Sequence, residues 1–349
     1  MLKKIKISIL LPYKENFSPN YAGAVSLFLN DTINLSKYKN NITVYGQTDY
    51  KKKLSKNYVN INFSKFFFKS NSKSYLKKFL YYEKLKRSNI IEIHNRPSYL
   101  DDVYKVNKNI ILYYHNDPLS MKASIKLEDR LNIIDKTKKI IFNSNWTLNQ
   151  FKKGIPKNIN KNKLQVIHQS TKKKRINFKK KKNIILFVGR LNRSKGFDIF
   201  GESIIKVLDK FPKWKSVVIG DEPRENFDFS HRNLKFLGFK KNHIVTKWFS
   251  KSNISVVCSM INEPFGRTAL EASSCGCAVI ITNRGGLPEA SPKAIRIQNL
   301  TAKNLESSIT KLIINKKLLL KLQKNIYNNF TLTNENASKK IDLCREKLI

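Results

Sequence analysis

Glu263 and Glu271 stand eight residues apart in the stretch Ser255–Ala290, SVVCSMINEPFGRTALEASSCGCAVIITNRGGLPEA. The apolar run Ile254–Cys258 predicts a buried parallel strand, Ala278–Ile281 the next one, and Arg267–Ser274 a helix between them. Pro264 and Gly266 mark the turn into that helix, and Gly276 falls just past its end. Arg267 and Thr268 then occupy the first turn, where backbone N–H groups lack helical partners and attract a phosphate. One carboxylate in the loop and one inside the helix can flank a single ligand at different depths. Taken alone, Glu-x7-Glu is more often a pair of solvated or capping acids.

Cations stand at a comparable place in another strand, helix unit. Asn183–Val188 is continuously apolar and runs into Gly189-Arg190-Leu191-Asn192-Arg193-Ser194-Lys195-Gly196. Arg190, a planar fork, and Lys195, a point charge, are thereby set at a strand's carboxyl end, where a diphosphate needs its charge neutralised. In the first half, His94-Asn95 and His115-Asn116 each end an apolar strand on one presumed rim. Gly23 follows the first strand and opens a helix running to about Leu35, where backbone can approach a phosphate or an acceptor. The chain contains no Asp-x-Asp. No metal clamp is therefore indicated, and Arg190, Lys195 and the helix start before Glu271 take its electrostatic role.

The elements that must position these residues alternate as in a doubly wound α/β fold. Predicted strands are Ile5–Leu11, Ile42–Tyr45, Ile90–His94, Ile110–Tyr114, Lys139–Asn143 and Leu164–His168, and the pattern restarts at Asn183–Val188, Ser216–Ile219 and Leu234–Phe239. Leu305–Phe330 and Ala337–Ile349 read as helices. With 349 residues and 41% hydrophobic content there is material for two domains with separate cores. The charge run KKKRINFKKKK at Lys172–Lys182 has almost nothing to bury and reads as the linker. Residues 1–170, 171–182, 183–330 and 331–349 are the expected first domain, linker, second domain and terminal helix.

The net charge of +43 is spread evenly, with 32 basic and 11 acidic side chains in residues 1–170 and 36 and 14 in the remainder. A coding bias toward lysine at solvated positions accounts for much of it. The functional alternatives are attraction to anionic lipid, to polyphosphate substrates or to nucleic acid. Phe66–Arg87 mixes aromatics with lysine, and Leu76, Phe79, Leu80 and Glu83 recur at helical spacing. This is either an amphipathic helix lying in a membrane interface or a basic-faced helix packed on the sheet. Nucleic acid is disfavoured, because this is one aromatic and basic segment without a recognised binding module. The four cysteines have no zinc-ligand spacing and suit reduced thiols in a cytosolic protein. The N-terminus, MLKKIKISILLPYKE, imitates a signal peptide, but the apolar run is brief, Pro12 ends it and no cleavage site follows. No segment is long enough to span a bilayer.

Glu-Pro-Phe-Gly-x4-Glu at 263–271, Gly285-Gly286-Leu287-Pro288-Glu289 after the next strand, and G-R-L-x3-K-G at 189–196 together resemble the nucleotide-sugar site of retaining GT-B glycosyltransferases, the large group 1 class usually numbered family four. The resemblance is specific over most of 183–330 and looser over 1–170. It implies two Rossmann-like domains facing across a cleft, the first for the acceptor and the second for the donor, with the last helix crossing back to the first. It also implies transfer of a sugar from a nucleoside diphosphate to an acceptor hydroxyl with retention, without cofactor or metal. Glu263 would face the donor sugar, Glu271 hold the ribose hydroxyls, and the loop Phe265-Gly266-Arg267-Thr268 meet sugar and phosphates. Gly189, Arg190 and Lys195 would hold the diphosphate, His115 lie near the donor sugar, and Gly23 and His94 border the acceptor. A saccharide or glycolipid acceptor in lipopolysaccharide or envelope glycan synthesis is expected, reached from the cytoplasmic face of the inner membrane. The other readings are a GT-B phosphorylase or epimerase, a nucleic-acid-binding protein and a catalytically idle scaffold.

Overall fold

The structure, a computed structural model, describes residues 5–63, 70–157 and 159–349. It divides into two units, one comprising residues up to Ser170 together with Asn334–Ile349, the other Thr171–Thr333.

The first unit is built on seven parallel strands, β1 (Ile7–Leu10), β2 (Ile42–Gly46), β3 (Tyr58–Asn60), β4 (Ile90–His94), β5 (Ile110–Tyr114), β6 (Lys139–Phe142) and β7 (Leu164–Val166). Their order is β3-β2-β1-β4-β5-β6-β7. Runs such as Ile110–Tyr114 are buried along their whole length, because helices cover both faces of a parallel sheet. Alternate residues feed two cores: Ile110, Leu112 and Tyr114 enter one, Ile111 and Tyr113 the other. The signal-like run at the N-terminus is β1, hydrogen-bonded between β2 and β4.

The second unit holds β8 (Lys182–Val188), β9 (Lys215–Ile219), β10 (Leu234–Phe236), β11 (Ser252–Val257), β12 (Ala278–Thr282) and β13 (Ile295–Ile297). Their order is β10-β9-β8-β11-β12-β13, again all parallel. The helix between β11 and β12 spans Arg267–Ser274, the residues expected for it.

Three expectations are corrected. The basic run 172–182 is not a free linker: Ile176 packs on the second unit's core, the Phe178 ring meets Tyr327 edge-on at 5.7 Å, and the Lys181 ammonium donates to the carbonyls of Phe249 and Ser252. The terminal helix, expected over 331–349, begins at Asn334, and residues up to Thr333 belong to the second unit. In the aromatic and lysine segment, residues 64–69 lie outside the described residues. The rest forms a helix, Asn71–Lys86, whose apolar stripe faces inward. Tyr75 and Phe79 are wholly buried in the first unit's core, with Leu76 beside them, and Leu80 packs against it. Phe79 is therefore a core residue and Leu80 a half-buried one packed against that core, neither of them free to anchor in a membrane as expected. Tyr81 and Leu85 are exposed instead, at 54% and 68%.

Candidate active site

In the second unit, β8 runs into Gly189 and Arg190, and a single tight turn at Arg193–Lys195 follows. The Asn192 side chain shapes this turn by accepting from the Lys195 amide at 3.1 Å, and its own amide donates to Glu222 at 3.2 Å. Arg224 grips Glu222 at 2.6 and 2.8 Å and holds that carboxyl at about 2. Gly196 ends the turn in a left-handed conformation, φ 67°, against the carbonyl of Cys258. A methyl group there would stand 2.1 Å from that oxygen, so glycine alone lets the Lys195 loop lie against the end of β11.

This approach brings Lys195 to Glu263. The ammonium and the carboxylate form an ion pair, both largely shielded from solvent, and Ser259 Oγ donates to the same carboxylate oxygen at 2.6 Å. Ser259 is held from behind by Thr282, whose hydroxyl donates to its carbonyl at 2.7 Å. The Glu263 backbone forms a parallel bridge with Gly285, and the Gly286 amide donates to the Glu263 carbonyl at 2.7 Å. The paired glycines thus serve as a rest for the loop carrying Glu263.

Glu271 lies one helix turn in. Arg267 Nε donates to it at 2.8 Å and Asn242 Nδ2 at 3.1 Å, both to Oε1. Gly266, φ 110°, precedes the helix and has no side chain to cap the amides of its first turn, where Arg267 and half-buried Thr268 stand. Arg190 is exposed and has no carboxylate at ion-pair distance among the described residues. The Phe265 side chain lies in the core with Leu270, Val279 and Leu287, and its backbone stays in the loop.

In the first unit, the two strand-end histidines meet each other. His94 Nδ1 and His115 Nε2 are 3.0 Å apart, with His94 stacked on Tyr113 at 4.1 Å. His94 has no exposed surface and stands behind His115. His115 is 6% exposed and its Nδ1 has no partner among the described residues. Behind both lies Glu92, whose Oε2 is 3.8 Å from His94 Nε2 and which Arg345 grips at 2.7 and 2.9 Å. Burial pushes the Glu92 carboxyl up, but the facing Arg345 charge and His94 outweigh it and hold the group at about 2. Burial lowers His94, and burial together with the neighbouring His94 lowers His115 well below the ordinary histidine value.

Gly23 precedes the helix Ala24–Ile33 with an ordinary φ of −75°. The place beside it is taken by Glu15, whose Oε1 accepts from the Ser26 amide at 3.1 Å and hydroxyl at 2.8 Å. A methyl on Gly23 would stand 2.5 Å from that oxygen. Among the described residues no group of three His, Cys, Asp or Glu side chains has metal-site geometry. No described helix is long and apolar enough to cross a membrane.

Sequence reading missed Ser259, Asn242, Glu92 and Arg345. Ser259 carried a weak signal, being four residues before Glu263. The others reach their partners from 29 to 253 residues away, and only the folded sheet order brings them there.

Residues 168–329 match the family model described as glycosyl transferases group 1. A Klebsiella pneumoniae protein, an uncharacterized 41.2 kDa protein in the cps region, is 31% identical over 163 residues, which are 43% of this chain and 44% of that one. The matched stretch thus spans less than half the length of that relative. Among solved structures, Anabaena Alr3699/HepE in complex with UDP superposes with a TM-score of 0.77 at 15% identity, covering 98% of this chain and 100% of that one. WaaG, a glycosyltransferase involved in lipopolysaccharide biosynthesis, superposes at 0.67 with 13% identity, over 96% and 99% of the chains. The match to the group 1 model thus lies in the second unit, and the chain has the two-unit α/β GT-B fold.

Proposed function

We propose that the protein is a retaining glycosyltransferase that moves a sugar from a nucleoside diphosphate donor to an acceptor hydroxyl. The observation that carries this reading is the seating of Glu263: its backbone rests on Gly285 and Gly286, and its carboxylate is held between Lys195 and Ser259. A carboxylate fixed this way can orient sugar hydroxyls while the adjacent ammonium faces developing phosphate charge. Arg190, with no carboxylate at ion-pair distance among the described residues, adds a second cation for the leaving diphosphate, and the helix start at Gly266, where no side chain caps the amides, adds a partial positive charge. Glu271, steadied by Arg267 and Asn242, is the acceptor for ribose hydroxyls.

In this reading the departing phosphate takes the proton of the attacking acceptor on the same face of the sugar, and the enzyme positions and stabilises charge. No metal or cofactor is required, since the cations occupy the place of a metal clamp. His115, held well below the ordinary histidine value by burial and by the neighbouring His94, stays neutral. The acceptor belongs to envelope glycan or lipopolysaccharide synthesis. The protein docks on the cytoplasmic face of an anionic membrane through its basic first unit, where Tyr81 and Leu85, flanked by Lys77 and Lys84, supply a shallow apolar contact and each lysine adds about 1 kcal/mol. Incubation with UDP-, GDP- and ADP-sugars in EDTA tests the donor assignment. One donor should raise the melting temperature and be turned over. Failure of every nucleotide to stabilise the protein would contradict the reading.

A further inference from the structure

A cavity of about 430 Å³ opens in the first unit at the carboxyl ends of β1, β4 and β5. Each of the three strands sends one cation to its lining: Lys14 after β1, Arg96 after β4 and Lys122 after β5. All three are exposed, and among the described residues none has a carboxylate at ion-pair distance. The single acid in the lining, Glu15, has its Oε1 committed to the Ser26 amide and hydroxyl. Asn95 spends its side-chain oxygen on the His115 and Asn116 amides, both at 3.1 Å, which leaves its Nδ2 donor for a ligand.

Two features separate this cluster from the general lysine excess. Arginine is scarce in the chain, twelve against fifty-six lysines, yet one stands here at a solvated position where composition would supply lysine. The backbone is also unusual: Lys14 and Asn95 take left-handed φ values of 71° and 54°, and Ala123, next to Lys122, takes 63°. Non-glycine residues adopt this conformation at a cost, and such residues cluster where geometry serves a ligand.

We infer that this cavity receives an anionic group, phosphate or carboxylate, carried by the saccharide acceptor, with Arg96 as the bidentate contact and Lys14 and Lys122 as flanking charges. The inference rests on the glycosyltransferase reading and names its acceptor class. The cavity is the size of a small-ligand site.

The test is calorimetry on the full chain at fixed ionic strength with glucuronate, glucose 6-phosphate, glucose and inorganic phosphate, and separately with nucleoside diphosphates. At least one charged sugar should bind about tenfold or more tighter than glucose, and Arg96→Gln should remove that preference while Arg96→Lys keeps part of it. Whichever of glucuronate and glucose 6-phosphate binds identifies the anion. Lys138→Gln, an exposed lysine just before β6 at the opposite end of the sheet, should change nothing. Equal binding of glucose, equal loss in Lys138→Gln, or inorganic phosphate binding as tightly as the sugar phosphate would each overturn the inference. If nucleoside diphosphates bind and charged sugars do not, the acceptor assignment fails alone; if neither binds, the glycosyltransferase reading fails with it.

Discussion

Gly285 and Glu263 approach so closely that a methyl group on Gly285 would stand 2.2 Å from the Glu263 carbonyl oxygen. Gly285 also holds a left-handed φ of 58°. Gly285→Ala therefore cannot be accommodated without moving the Glu263 loop. We expect a loss of turnover of about tenfold or more, with about 1 to 2 kcal/mol lost in stability from the strained backbone. Paired rate and denaturation measurements decide it, and full turnover in a folded variant would show that the glycine does not position the carboxylate.

The two glutamates should fail differently. Glu271→Ala should weaken binding of the bare nucleoside diphosphate, because the proposed function assigns the ribose hydroxyls to this carboxylate, which Arg267 and Asn242 steady. Glu263→Ala should leave that affinity largely intact and lose sugar transfer. Calorimetry with the bare nucleotide separates them, and equal losses would refute the division of roles.

Arg190 and Lys195 should matter most as charge develops on the leaving diphosphate. Replacing either with Ala should lower turnover by about two orders of magnitude, with the fold intact. Lys195→Ala should also release Glu263, leaving Ser259 as its remaining side-chain partner among the described residues. Near-normal turnover in both variants would displace the phosphate site from this loop.

Arg345 holds a wholly buried carboxylate. Arg345→Ala removes the guanidinium that pairs with buried Glu92, which should destabilise the first unit by about 3 to 5 kcal/mol in denaturant titrations. Arg345→Ala together with Glu92→Gln should recover part of the loss. If the single variant is as stable as the parent, the pair is energetically idle.

The same cluster sets an acid response with a definite sign. His94 and His115 have folded values below the ordinary 6.5, so the unfolded chain binds protons first and stability falls as pH drops below about 6.5. Glu92 is depressed from 4.5 to about 2, so its contribution is present above 4.5 and is lost as pH falls toward 2. Denaturation midpoints should decline in two stages on acidification. His94→Gln should flatten the upper stage, and an unchanged profile in that variant would remove the histidines from the account.

The central strands, the helix Arg267–Ser274 and the Lys195 and Glu263 loops were legible because unbroken apolar runs and glycine turns specify them locally. β3 and β13 were not, being three-residue edge strands with little to bury. The helix Asn71–Lys86 kept both readings open in sequence, since an apolar stripe beside lysines serves a membrane or a core equally; packing on the sheet settles Phe79 in the core. His94 was legible as a strand end but not as an interior residue, because Arg345, which closes the cluster, arrives from the last helix. The short apolar content of 172–182 concealed how firmly Phe178 fastens that run.

The central claim is retaining transfer from a nucleoside diphosphate sugar. Proton NMR of an accepted donor, followed from the first minutes of enzymatic turnover to acceptor or water, reads the configuration of the newly released anomeric centre before mutarotation. We expect the donor's own anomeric configuration in the first product formed, lost in Glu263→Ala. An inverted first product would contradict the account.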